Sequence, residues 1–315
     1  MVNRSEVAYF GAGPAPLPTA VLETGATSFL NYENTGLGLV EVSHRSPTAN
    51  KILADAKAGL TTLLDIPEDY EILFCHGGGT GGFASVVYNL VPVWVENRRK
   101  RAEKELGEGK EAEILERVRK EVKEELKVDY LVTGSWSLKA SQEAANLLEP
   151  LGKGIVNVAL DSRKANNGKF GRIPPESEWT LTKTKKEGGT GSAFVYYCDN
   201  ETVDGVEFPS FPSVLEAQGE DSSDERLVVA DMSSNFLSRK VDVSKYGVIF
   251  VSSRRSTAIL GANRLSGRST KEYRHNRYHH PHRPEIHNCL ASNTCIPPLS
   301  RHLVATQYPA LADTP

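Results

Sequence analysis

The chain has 315 residues, 39% hydrophobic and 24% charged, enough to bury a large core and, by length alone, to form about two domains. Its net charge of −3 and pI near 6.3 argue against nucleic acid or an anionic membrane as the main partner. No apolar run approaches the ~20 residues a membrane helix needs, and Met1 opens no signal-peptide pattern. Four scattered cysteines (Cys75, Cys198, Cys289, Cys295) make no disulfide framework, so a reducing, cytoplasmic setting is expected.

Residues 9–20 form a Gly/Pro-rich arm that leads into a helix at about Thr19, with Pro18 suited to a first helical turn. The stretch from Gly36 to Ser46 carries the pair His44-Arg45 in a loop-like setting. Such a pair can bind a carboxylate or a phosphate, or can simply be solvated. A helix follows over roughly Thr48–Leu64, with Ile52, Ala56, Leu60 and Leu64 on one face.

The β-leaning run Tyr70–Phe74 then feeds a loop with five glycines in six positions, Gly77 to Gly82, and Phe83–Val91 can continue as a helix. Strand, glycine turn and helix start are the parts of an anion site. Glycines let the backbone approach a ligand, and the first amides of a helix have no partner of their own. No Lys follows the loop, so it is not a nucleotide-binding P-loop, and a plain tight turn is the competing reading.

Residues 96–127 are dominated by Glu, Lys and Arg, with Leu115, Val118, Val122 and Leu126 at helical spacing. This predicts a long charged surface helix packed on the body as an insertion, with a possible hairpin break at Gly107–Gly109. Short apolar strands follow at Tyr130–Val132, Gly154–Ala159, Ala193–Cys198, Leu227–Ala230 and Gly247–Phe250. A helix after Ser135-Trp136-Ser137 lies between the first two. Gly188–Gly191 and Gly219–Glu225 read as surface loops. Alternating strands and helices predict an α/β fold with a mostly parallel sheet, whose ligands lie at the carboxyl ends of the strands. Thr202 and Asp231 fall just past two such ends. From Val251 to Pro315 no strand or helix period is evident. Six of the eight histidines fall there, but without the spacing or apolar shell of a metal site, and none is expected.

Several of these segments, in order, resemble the phosphoserine aminotransferases, pyridoxal-phosphate enzymes of the class V aminotransferase family and of fold type I. The resemblance runs through Phe10–Ala15, Glu41–Ser46, Leu73–Gly79, Tyr197–Val206, Ala230–Ser234 and Leu237–Ile249. It implies a pyridoxal-phosphate-binding large domain over 1–250, with 96–127 as an added charged helix, and a non-family tail over 251–315. The small C-terminal domain of the family is expected to be missing. The resemblance also implies site roles. The backbone amides of Gly79 and Thr80 would hold the cofactor phosphate, and Trp136 would stack on its ring. Thr202 would hydrogen-bond the ring hydroxyl or the phosphate side, and Asp231 would pair with the protonated ring nitrogen. His44 and Arg45 would grip an anionic group of the substrate. Two positions depart from the family: Gly82 stands where Gln is usual, and Thr80 lies at a variable position that carries Arg in some relatives.

The reaction implied is reversible transamination between 3-phosphohydroxypyruvate and glutamate, a step of serine biosynthesis, carried out by a homodimer. It needs a lysine that holds the cofactor as a Schiff base. Where that lysine belongs this sequence has Arg255, whose guanidinium stays protonated and cannot form an imine. Reading Thr270–Arg283 one base out of frame permits Gln-Lys-Asn-Ile-Gly followed by a β-branched run, which is the family's lysine motif. Val251 to about Ser269 would then be a retained intron, and Val251-Ser252 can be encoded by a donor-site sequence. The chain as written is therefore expected to be inactive, and its dimerisation is in doubt. Two other readings stay open: a catalytically inactive, truncated or mis-spliced remnant, and a phosphate-binding module built on Gly77–Gly82.

Overall fold

The computed structural model describes residues 2–9, 16–75, 77–185, 187–216, 226–253 and 256–262, the side chains from 253 onward excepted. The chain divides into two units, Met1–Pro67 and Glu68–Pro315. The first unit contains helices α1 (Thr19–Leu30) and α2 (Pro47–Leu64). Pro18 sits one residue earlier than the sequence suggested, as the N-cap of α1. In α2 the Ser46 side chain accepts from Ala49 N at 3.1 Å and Pro47 supplies a preset φ at the first helical position. The helix ends at Asp65, in the left-handed conformation. Its predicted apolar face holds in part: Leu64 is buried and Ile52 and Leu60 half-buried, but Ala56 is exposed.

The second unit is an α/β layer. It comprises β1 (Tyr70–Cys75), α3 (Gly78–Leu106), α4 (Glu111–Glu125), β2 (Val128–Val132), α5 (Ser135–Leu148), β3 (Val156–Asp161) and β4 (Val195–Cys198). A short hairpin of β5 (Asn200–Glu201) and β6 (Val206–Glu207) follows, then β7 (Val228–Asp231), β8 (Val248–Ser253) and β9 (Ser256–Ala262). Seven strands form one sheet in the order β1-β9-β8-β7-β4-β2-β3. Pairings β3/β2, β2/β4, β4/β7 and β7/β8 are parallel, and only β9 runs against its neighbours. The α/β, mostly parallel expectation is met. One face of the sheet carries Tyr130, Tyr196 and Phe250, whose neighbouring rings are tilted by 34° and 31° and which pack with Phe83, Val87, Leu90 and Val91 of α3 and Ala140 and Ala144 of α5. No helix of the described residues is long and apolar enough to cross a membrane.

Two expectations are corrected. The strand pattern does not stop at Phe250: β8 runs on to Ser253, and β9 fills the slot between β8 and β1, with Phe250 opposite Ile259 and Leu73 opposite Ile259 on its other edge. Pairing on both edges satisfies the backbone of a segment whose own side-chain pattern is weak. Residues 254–255 and 263–315, and with them Arg255, Lys271 and the late histidines and cysteines, lie outside the described residues, as does the loop Gly219–Glu225.

Nor is 96–127 one helix of its own: it is the hairpin that a break at Gly107–Gly109 allowed, and it begins within α3. Its first arm is the distal half of α3, which runs unbroken from the glycine turn, and α4 folds back after a break at Gly107 and Gly109, both at positive φ. Ala102, Ile114 and Val118 make the seam. Beside them Glu121, 7% exposed, pairs with three arginines: Arg98 at 3.6 Å, Arg101 at 3.3 Å and Arg117 at 3.0 Å. Arg98 is itself buried against the Trp94 ring, bonds Glu125 at 2.9 Å, and donates to Thr190 O at 2.7 Å, tying the hairpin to the body. Removing one partner of such a group leaves charge without compensation. Glu121→Ala is expected to cost about 3 kcal/mol in urea unfolding, whereas Asp55→Ala, which breaks the exposed Lys51–Asp55 pair, leaves the midpoint nearly unchanged. Equal effects of the two would refute this assignment.

Candidate cofactor site

The glycine loop does more than turn. Gly77 and Gly78 take φ of +120° and +59°, and a Cβ on Gly77 would lie 2.9 Å from the Gly81 Cα. Only glycine permits that conformation and that approach. Helix α3 starts inside the loop, its ladder opening with Gly81 N to Gly77 O at 3.0 Å. The amides of Gly79 and Thr80 therefore have no acceptor within the helix, and no side chain caps this end. Alongside runs β8, close enough that a Cβ on Gly79 would meet Ser252 Oγ at 3.8 Å.

From Ser252 a chain of hydrogen bonds leads to Asp231. Ser252 N donates to Ser233 Oγ at 2.8 Å, and Ser233 donates through both N, at 2.9 Å, and Oγ to Asp231 Oδ1. Tyr196 OH reaches Asp231 Oδ2 at 3.5 Å. Asp231 closes β7, level with Cys198 of β4 and Phe250 of β8. Its carboxyl is pushed up from the ordinary 3.8 to about 6, mainly by loss of water and only partly countered by the Ser233 bonds. Among the described residues no lysine or arginine pairs with it.

Trp136 is the second residue of α5, after the end of β2, and leaves its indole 47% exposed, with Lys139 Nζ 4.6 Å from the ring centre. Thr202 is exposed and follows β5 directly. The two are joined through Glu201, whose carboxylate accepts from Trp136 N and Ser137 N, each at 2.9 Å. Gly79 and Thr80 thus follow the end of β1, Trp136 follows β2, Thr202 follows the hairpin strand β5 and Asp231 closes β7. His44 and Arg45 lie on an exposed turn before α2, in the N-terminal unit. Sequence reasoning passed over Tyr196, Ser233, Ser252, Glu201 and Asp204. Ser233 alone carried a signal, since a serine two places after an aspartate readily bonds back to it.

Residues 7–142 match the family model described as aminotransferase class-V. The chain is 40% identical to phosphoserine aminotransferase of Saccharomyces cerevisiae over 261 residues, 82% of this chain and 56% of the yeast protein. Over residues 7–142 the chain is similar to the class-V aminotransferases. Among solved structures, it superposes on pyridoxal-phosphate-bound phosphoserine aminotransferase from Trichomonas vaginalis with TM-score 0.60 and 27% identity, covering 93% of this chain and 71% of that one. Phosphoserine aminotransferase from Bacillus circulans subsp. alkalophilus gives 0.59 and 28%, covering 84% and 59%. The chain spans little more than half the length of the yeast class-V aminotransferase that it matches. The fold is that of type I pyridoxal-phosphate enzymes.

A raised carboxyl gives a pH dependence of definite sign. Between the ordinary value of 3.8 and about 6 the folded protein binds the Asp231 proton more tightly than the unfolded chain does. This contribution to stability is present at low pH and is lost as pH rises through about 6. In the ligand-free protein, the melting temperature of wild type relative to Asp231→Asn is expected to fall as pH is raised across this window. Parallel melting curves for the two proteins would contradict it.

Proposed function

We propose that this site holds pyridoxal 5′-phosphate, and that the chain is the cofactor-binding part of a transaminase. It would act between glutamate and 3-phosphohydroxypyruvate, giving phosphoserine and 2-oxoglutarate in serine biosynthesis. The observation that carries the proposal is Asp231, a desolvated carboxyl with hydroxyl and amide donors on one oxygen and, among the described residues, no cation. A protonated pyridine nitrogen supplies the missing charge and returns the carboxyl to its ionised form. The names of the relatives support the substrate class.

When bound, pyridoxal phosphate supplies an electron sink for carbon-acid chemistry at the substrate Cα. The residues of this chain do the rest. Asp231 holds the proton on the ring nitrogen, and Ser233 fixes the carboxylate that does so. The Gly79 and Thr80 amides donate to the phosphate at the positive end of α3. Trp136 presents its indole face and Thr202 offers a hydroxyl. Arg255 cannot take the place of the imine-forming lysine, so the cofactor is held without a covalent bond and turnover is small. Lys245, the nearest alternative in sequence among the described residues, is engaged with Glu216 at 2.5 Å and lies over the Phe211 ring.

The test is to express residues 1–315, titrate with pyridoxal phosphate, reduce with borohydride and assay phosphoserine formation. Saturable binding is expected, weakened at least about tenfold in Asp231→Asn, since a hydrogen bond to a charged group is worth roughly 1.5–3 kcal/mol. No single lysine should be fixed, and turnover should be lower by a factor of ~10²–10⁴, the usual worth of a positioned acid–base group. One lysine fixed stoichiometrically, with full turnover, would overturn the non-covalent reading, and no saturable binding would overturn the cofactor itself.

A further inference from the structure

Helix α5 has no cap of its own. Its N-cap residue is Gly134, which has no side chain to offer. Instead, the first three amides of the helix are taken by carboxylates from the β5–β6 hairpin: Ser135 N donates to Asp204 Oδ2 at 2.6 Å, and Trp136 N and Ser137 N donate to Glu201 Oε2 and Oε1 at 2.9 Å each. Glu201 is fully buried, and its approach explains the glycine, because a Cβ at position 134 would lie 2.4 Å from Glu201 Cγ and Cδ. Burying a carboxylate is costly, and capping alone does not call for it, since a serine or aspartate at position 134 would satisfy the helix more cheaply. What Glu201 adds is position. It bonds the backbone of Trp136, and its own next neighbour is Thr202.

We propose that Glu201 is a positioning residue of the site: through α5 it sets the plane of Trp136, and through the chain it sets Thr202. The two contacts assigned to opposite parts of the cofactor are thereby held in one rigid frame. Asp204 completes the frame at Ser135. This rests on the reading of Trp136 as the residue that faces the cofactor ring. A residue that served stability alone would act equally whether or not Trp136 were present. Glu201 acts through it.

The experiment is a double-mutant cycle on the full chain with two readouts. The first is pyridoxal-phosphate affinity, by absorbance titration, for wild type, Glu201→Gln, Trp136→Phe and the double variant, well below each melting temperature. Glu201→Gln is expected to weaken binding about tenfold in wild type and less than twofold in Trp136→Phe. The second readout is hydrogen exchange in the ligand-free protein. Glu201→Gln should speed exchange at Trp136 and Ser137 by tenfold or more and leave the amides from Ala140 to Leu148 unchanged. If Glu201→Gln does not fold, Glu201→Asp, shorter by one methylene, takes its place in both. Equal weakening in both backgrounds, or unchanged affinity despite altered exchange, would overturn the proposal and leave Glu201 a cap. A wild type that does not bind the cofactor while exchange still responds would sink the cofactor reading and the positioning role with it. Unaltered exchange would sink the frame itself.

Discussion

A carboxylate withdrawn from water at the end of β7 must find a positive partner or keep its proton, and the second unit is arranged around that constraint. Asp231 lies level with the end of β4 and with Phe250 in the middle of β8, so the parallel register decides which groups can reach it. Tyr196 comes up from β4 beneath the aromatic face, Ser233 turns back from the following residues, and Ser252 joins the serine to the edge of the glycine turn. A path of hydrogen bonds therefore runs from Asp231 to Ser252, which lies beside the amide-lined start of α3. A ligand with a cationic ring at one end and a phosphate at the other matches that polarity.

Among the carboxylates taken out of water in this unit, Glu121, Glu201 and Asp231 are each compensated differently. Glu121 meets three guanidinium groups, which closes its account within the α3–α4 hairpin and leaves nothing for a ligand. Glu201 meets two amides at a helix start, where the dipole favours an anion. Asp231 meets hydroxyls and one amide but, among the described residues, no cation, and burial pushes its carboxyl up to about 6 as burial also raises that of Glu201.

Much of this could be read in the residues. The β-rich runs before Thr202 and Asp231, and the glycines before α3, gave the strand ends and the turn, because apolar strands and glycine turns are local signals. The two misreadings share a cause. The charged stretch after Trp94 looks like a new element because its composition changes, yet helical hydrogen bonds ignore composition, and α3 continues through it. β9 has little pattern of its own and is a strand because β1 and β8 offer it two edges. Glu201 was out of reach for the same reason: its partners lie more than sixty residues away, and nothing near Asn200-Glu201-Thr202 announces them.

The central claim concerns the charge on Asp231, and an isotope-edited infrared titration of its carboxyl measures that charge directly, with the Asp231→Asn protein as the difference reference. Without ligand the carboxyl should titrate near 6. With saturating pyridoxal phosphate it should stay ionised down to below the ordinary 3.8. A titration near 6 that is unmoved by the bound cofactor would mean that the ring nitrogen lies elsewhere, and the account of the site would fail.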